Sequence, residues 1–302
     1  MGVLITGATG LLGTKLVELC LQKELSVNYL TTRKDKIVTK KKYKGFYWNP
    51  NTNEIDTDCF KDINVIIHLA GGTVSKRWTT SNKKEILDSR VLSTRLLHRG
   101  LKSLPQHNVS QIISASGINI YPDSLTRLYN EKDTQINSSF LGDVVKAWEA
   151  EVDTFFGLNV KVAKVRIGLV LANEGGALPE FKKPIDLGLG AVFGKGEQWQ
   201  SWIHVDDVVR VFMYILKYCE VGTFNAVAPN PVAQCELVKS IAKTLDKPMF
   251  LPNIPKAVMK IALGEMHDLL FCSQRVSSKK LENKGFVFKY PNLQPALLQL
   301  LA

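Results

Sequence analysis

No run in this 302-residue chain reaches the ~20 consecutive apolar residues that a bilayer-crossing helix requires, so neither a membrane span nor a membrane partner is expected. The N-terminus enters an apolar strand pattern directly. It lacks the charged and apolar regions of a signal peptide, and a cytoplasmic location is the expectation. Cysteine is sparse. Cys20, Cys59, Cys219, Cys235 and Cys272 lie far apart without a C-x-x-C pair, which argues against a disulfide framework and a zinc ribbon and for a reducing compartment. No metal site is expected. Acidic residues are also short, with 28 Asp and Glu against 39 Lys and Arg, a net charge of +11 and a pI near 9.3. The basic residues cluster at Lys40-Lys41-Lys42, Lys83-Lys84, Lys182-Lys183 and Lys279-Lys280, scattered and without a zinc-finger or RNA-binding signature. They read as a solvated surface, and nucleic acid is not an expected partner. Repeats and low-complexity tracts are absent as well.

What the chain does have begins at Val3. An apolar run leads into Gly7-Ala8-Thr9-Gly10-Leu11-Leu12-Gly13, and a helical pattern follows with Leu12, Leu16, Leu19 and Cys20 on one face. Strand, tight turn and helix in that order are the context in which such glycines bind a dinucleotide. Gly7 permits the turn, Gly10 admits a diphosphate close to the backbone, and Gly13 lets the helix pack on the sheet. The helix N-terminus then holds the phosphates. A second strand, Ser26 to Leu30, ends in Thr31-Thr32-Arg33-Lys34. Two cations without a carboxylate at that point favour a ribose 2′-phosphate, hence NADP(H), with NAD(H) as the alternative.

Further strands are expected at Ile63–Leu69, Gln111–Ala115 and Val160–Leu171, with helices at Lys84–Leu101 and Ser139–Phe156. Residues 35–60 read as polar and turn-rich. The alternation predicts an α/β fold, an NAD(P)-binding Rossmann fold with a doubly wound parallel sheet. Small residues at Ala70-Gly71-Gly72 would let backbone lie against the cofactor. His68 reads as a satisfied core histidine, and Ser116 as a strand-end donor to a substrate oxygen. Residues 173–202 are glycine-rich. Beyond them, Asp206 or Asp207 can cap a helix over Val208–Tyr218, and Phe224–Ala228, Gln234–Leu245 and Pro255–Leu263 read as a strand and two helices. The expected division is a Rossmann domain over 1–171, with 203–230 returning to it. A smaller C-terminal substrate or lid region takes 172–202 and 231–302.

These motifs, with His68-Leu69-Ala70-Gly71, Ser114-Ala115-Ser116 and Ser201-Trp202-Ile203-His204-Val205-x-Asp207, resemble the extended short-chain dehydrogenase/reductase superfamily and its NAD(P)-dependent epimerase/dehydratase group. More narrowly, Asp88-Ser89-Arg90-Val91, Trp148-Glu149, Leu263-Gly264-Glu265-Met266, Gln274-Arg275-Val276 and Gly285-Phe286-x-Phe288-x-Tyr290-Pro291 resemble the atypical 39U-type epimerase family with its C-terminal domain of unknown function. The resemblance implies cofactor contacts at Gly7, Thr9, Gly10, Leu11, Leu12, Gly13, Arg33, Lys34, Leu69, Ala70, Gly71, Ser114, Arg166 and Gly168. It also implies a small-molecule substrate near Trp78, Arg90, Gln200 and Trp202, and a homodimer. The superfamily's Tyr-x-x-x-Lys dyad is missing. Counted back from Glu149, its positions hold Leu141 and Val145, and Lys146 is one residue out of frame, about 100° around the helix. Ser116 with Tyr121, Asp143 or Lys146 remain as candidate catalytic groups. Gln200 stands where many nucleotide-sugar enzymes have an arginine, which weakens a nucleotide-sugar substrate. An NADP(H)-dependent oxidoreductase or epimerase is the first reading, and a non-catalytic NADP(H)-binding sensor or regulatory protein is the alternative.

Overall fold

The computed structural model describes residues 1–302. Its centre is a sheet of seven parallel strands: β1 (Gly2–Thr6), β2 (Ser26–Thr31), β3 (Tyr43–Asn49), β4 (Val65–His68), β5 (Gln111–Gly117), β6 (Lys161–Ile167) and, late in the chain, β9 (Gly222–Ala226). They lie in the order β9-β6-β5-β4-β1-β2-β3, with two short antiparallel segments added at the β3 edge. Every residue of β1 is buried, as a strand covered on both faces requires. The chain winds outward from β1 in one direction and then from β4 in the other. Their carboxyl ends therefore frame a crevice, the place where open α/β sheets bind ligands.

Helices α1 (Leu11–Gln22) and α5 (Val205–Tyr218) pack together, as do α2 (Thr80–Lys102) and α3 (Phe140–Asp153). The Thr79 side chain caps α2 and the Ser139 side chain caps α3, each accepting from a first-turn N–H. For α5 the cap is neither aspartate. His204 Nδ1 accepts the Asp206 N–H at 3.0 Å, which moves the helix start to Val205 and puts both aspartates in the first turn. Asp207 is fully buried there. Its carboxylate pairs with Arg210 at 2.6 Å and accepts the N–H groups of Lys289 and Tyr290 at 2.8 Å, latching the C-terminal segment.

Three expectations need correction. The stretch 35–60 contains a full sheet strand, β3, whose polar and aromatic mix masks it. Gly45 is required there because a Cβ would sit 2.5 Å from the Tyr29 ring. The single strand expected over 160–171 is broken at Gly168 into β6 and β7 (Leu169–Ala172), and β7 leaves the main sheet to pair with β8 (Trp202–His204). A Cβ on Gly168 would lie 2.2 Å from the Ser201 carbonyl oxygen, so this crossing needs glycine. Within the glycine-rich segment, Leu178–Asp186 forms a helix, α4, anchored by buried Leu178 and Ile185.

A second core holds Leu171, Leu178, Trp202 and Ala228 with α6 (Gln234–Thr244) and α8 (Leu293–Leu301). Leu281, Phe286 and Phe288 instead join the main core. The C-terminal region is thus sewn into the sheet domain rather than set apart from it. Helix α7 (Lys256–Leu263) buries none of its residues. None of the helices is long and apolar enough to cross a membrane.

Candidate functional site

The crevice opens on the N-terminus of α1. Gly7 has φ +67°, and a Cβ there would meet the Leu69 carbonyl at 3.0 Å. At Gly13 a Cβ would sit 2.0 Å from the Gly7 carbonyl oxygen and 2.7 Å from the Ala8 Cα, so helix and turn touch backbone to backbone. Gly10 differs, since its Cβ would approach only the Gly7 oxygen, at 3.3 Å. Thr9 and Gly10 are exposed, and Gly10 caps α1 without a side-chain acceptor or an acidic residue in the first turn. The first N–H groups of α1 therefore remain available to an anion. Leu11 reaches across to Gly175 of the segment after β7.

The opposite wall is held by His68. Thr6 Oγ1 accepts the N–H groups of Leu69 and Ala70, both at 3.1 Å, and lies 2.8 Å from His68 Nδ1. Thr94 Oγ1, whose proton goes to the Arg90 carbonyl, is 3.0 Å from His68 Nε2. Consistent donors require the Nε2–H form of the ring. Burial pushes its pKa down to about 3. The unfolded chain then takes up a proton below about pH 6.5 that the folded chain refuses, so stability falls as pH drops from there toward 3. Between pH 7 and pH 5 this one group is expected to remove about 2 kcal/mol. Urea unfolding at the two pH values should show that loss, and His68→Asn should lack this share of it.

At the far end of β5 the structure assembles a polar network. Ser116 Oγ donates to Glu149 Oε1 at 2.6 Å, and Arg166 grips both Glu149 oxygens at 2.8 and 2.9 Å. Arg166 Nη1 also donates to Tyr121 Oη at 2.9 Å, and that hydroxyl donates to Asn225 Oδ1 at 2.8 Å. Asn225 passes the chain on to the Ser277 carbonyl. Burial alone would raise the Glu149 pKa, but the Arg166 ion pair, with the Ser116 hydrogen bond, holds it below the ordinary value. Burial keeps the Tyr121 hydroxyl above its ordinary range despite Arg166. Ser116 and Tyr121 are thus joined, but both are buried with their protons committed. Lys146 and Asp143 are exposed on the outer side of α3, outside this network.

The remaining expected residues separate. Ser114 is fully buried and donates to the Ala115 carbonyl, and the Arg166 side chain belongs to the network. Trp202 is no pocket residue: it is fully buried in the second core and donates to the Asn230 carbonyl at 3.0 Å. Gln200 sits in a two-strand pairing with Val232. Arg90 stacks on Trp148 at 5.3 Å and would lie 3.3 Å from a Cβ on Gly71, on the crevice wall. Burial lowers its pKa to about 10. Arg33 does have a carboxylate beside it: Asp35, two residues on, pairs with the guanidinium at 2.6 Å.

Trp78 does line a cavity, of 170 Å³, with Asn119, Asp123, Leu141, Lys256, Asp268 and Cys272 among its walls. Leu141, which the count back from Glu149 sets at the expected tyrosine position, is one of the walls and presents only an apolar side chain to the cavity. Cys272 remains a neutral thiol, pushed up to about 12 by burial and by Asp123 and Asp268. Sequence reasoning missed Asn119, Asp123, Lys256 and Asp268, which come from loops and short helices with no periodic pattern. Glu149 carried a signal, since an acidic residue on the sheet-facing side of an amphipathic helix needs a buried partner.

The winding, the switch-point crevice and the glycine turn define an α/β protein of the Rossmann-type epimerase fold. The chain belongs to the epimerase family. Residues 3–140 match the NAD dependent epimerase/dehydratase family, and 254–300 match a C-terminal domain of unknown function, DUF1731. An epimerase family protein of Staphylococcus saprophyticus is 36% identical over 300 residues, 98% of each chain, and one of Staphylococcus aureus is 34% identical over 301 residues, 99% of this chain and 98% of that one. The human epimerase family protein SDR39U1, solved with NADPH, superposes with a TM-score of 0.85 at 26% identity over 99% of each chain. A UDP-galactose 4-epimerase, at 16% identity and a TM-score of 0.74 over 99% of this chain and 97% of that one, shares the fold.

Proposed function

We propose that this chain binds NADP(H) across the switch point and uses it for oxidoreductase or epimerase chemistry on a small molecule seated in the 170 Å³ cavity. The observation that carries the reading is the N-terminus of α1, open behind the exposed Gly10 at the carboxyl end of β1, with no side-chain cap and no acidic residue in its first turn, whereas α2, α3 and α5 are side-chain capped. A diphosphate would rest on the first-turn N–H groups of Leu11, Leu12 and Gly13. Leu69, Ala70 and Gly71 would form the facing wall, with the Arg90 guanidinium behind it. Arg33 and Lys34 would take a 2′-phosphate. Lys34 already lies over the Tyr47 ring, at 4.8 Å. When bound, the nicotinamide supplies a hydride donor or acceptor. The protein's part is to orient substrate against Trp78 and to move a proton without the usual tyrosine. Lys256 and Asp268 are the charged groups on the cavity wall that the C-terminal region contributes.

A second reading, a non-catalytic NADP(H)-binding protein, draws on a specific feature. Leu141 and Val145 replace the dyad, and the Ser116 proton is spent on Glu149. Calorimetric titration with NADPH, NADP, NADH and NAD tests the common ground. Arg33→Ala should weaken NADPH about tenfold and leave NADH unchanged. Failure of all four nucleotides to bind sinks both readings. Binding without turnover across a carbonyl panel, followed by NADPH absorbance, selects the second.

A further inference from the structure

We propose that a groove on the opposite edge of the molecule binds a long-chain anionic amphiphile, an apolar tail ending in a carboxylate. The groove encloses 710 Å³, inside the range of about 300–1,000 Å³ typical of small-molecule sites. The end of α1, the end of α5 and the returning segment Gly285–Val287 form it, and Leu25, just before β2, closes one side. It therefore lies at the amino ends of the strands, away from Gly10. Its apolar surface comes from Leu19, Met213, Leu216, Phe286 and Val287. Val287 is 73% exposed and Tyr218 53%, so the rim of the groove is open to solvent, while the buried side chains of Met213, Leu216 and Phe286 form its floor.

Charge indicates the occupant. The three charged residues lining the groove, Lys23, Arg210 and Lys217, are all cationic. Arg210 is paired with Asp207, whereas Lys23 and Lys217 have no carboxylate within 4.0 Å, the Lys217 ammonium lying instead over the Tyr218 ring at 4.9 Å. A cation at a helix C-terminus suits the helix dipole, which accounts for each lysine singly. It does not account for an open groove with an apolar floor and the exposed Val287 and Tyr218 at its rim, flanked by two ammonium groups that no carboxylate neutralises. A second copy of the chain, docked face to face, would set these cations against their own kind. A single tail with one negative head satisfies both halves of the surface.

The test is calorimetric titration of the full chain with dodecanoate below its micelle concentration. One saturable site is expected, with no binding of dodecyltrimethylammonium. Lys23→Glu with Lys217→Glu should weaken dodecanoate by about tenfold, since each exposed contact contributes a fewfold. Val287→Trp, at an exposed position, should block the tail and report on it by fluorescence. Gly10→Ala should leave dodecanoate binding unchanged. Each of these results overturns the proposal: no saturation, equal binding of the cationic amphiphile, indifference to charge reversal, or loss of binding in Gly10→Ala. Binding only to phosphatidylglycerol vesicles and never to free dodecanoate does the same.

Discussion

Glu149→Ala is expected to destabilise the fold by about 3–5 kcal/mol, the usual result of leaving one partner of a buried ion pair alone. The Glu149 and Arg166 side chains retain only 10% and 11% of their exposure, and the Arg166 guanidinium spends two of its donors on this carboxylate. Removing the carboxylate strands that cation in the interior. Lys164, 3.8 Å from Glu149, still has Asp153 at 2.9 Å and is spared. Replacing both partners, Glu149→Leu with Arg166→Met, should cost less than the single change, because no charge is left unpaired. Urea unfolding followed by circular dichroism decides between the two. If the single variant is the milder one, the ion pair does not hold the network together. The pH dependence has a definite sign. The folded pKa of Glu149 lies below its ordinary value of 4.5, so its stabilisation is present above that value and lost as pH falls through the lower folded pKa. The network also reaches Ser277 through Tyr121 and Asn225. Glu149→Ala should accordingly expose the segment after Phe271 to proteolysis before the sheet unfolds.

The second large effect separates two glycines of one motif. Gly13→Ala places a methyl 2.0 Å from one backbone atom and 2.7 Å from another, and neither can rotate away. Forced separation of α1 from its turn should cost about 1–3 kcal/mol, at the upper end because the obstruction is backbone. Gly10→Ala meets only one oxygen at 3.3 Å, and Gly10 has φ −85°, which any residue adopts. Its thermal midpoint should stay near wild type, while its methyl adds bulk at the N-cap of α1, where the diphosphate is proposed to rest. NADPH affinity is therefore expected to fall by at least about tenfold without a matching loss of stability. Equal stability losses in the two variants would contradict the division of labour between them.

Local sequence determined what local physics controls. The glycine spacing after β1 dictates a strand, a left-handed turn and a close helix, and the structure realises each through Gly7, Gly10 and Gly13. Strands buried on both faces, such as Val65–His68 and Gln111–Gly117, announce themselves as apolar runs. The strand Tyr43–Asn49 was hidden because it lies near the sheet edge, where its burial is mixed and no clean pattern survives. The break at Gly168 was equally illegible, since the groups that make glycine necessary there, the Ser201 carbonyl 33 positions later and the Val227 side chain, come from distant parts of the chain.

The candidate site divides along the same line. Its glycine turn before α1, where a diphosphate is proposed to rest, is a contiguous motif, and its backbone geometry follows from the spacing alone. The catalytic candidates could be named by residue type, but what occupies their protons depends on partners from β5, α3, β6 and β9. Tertiary structure alone decided that Ser116 spends its proton on Glu149, that Tyr121 is sealed inside, and that Lys146 faces water. It also sent Trp202 into a core and left Trp78 in a cavity. The physical reason is range: backbone conformation at a glycine turn answers to its nearest neighbours, whereas burial and ion pairing answer to whatever the fold brings across from distant parts of the chain.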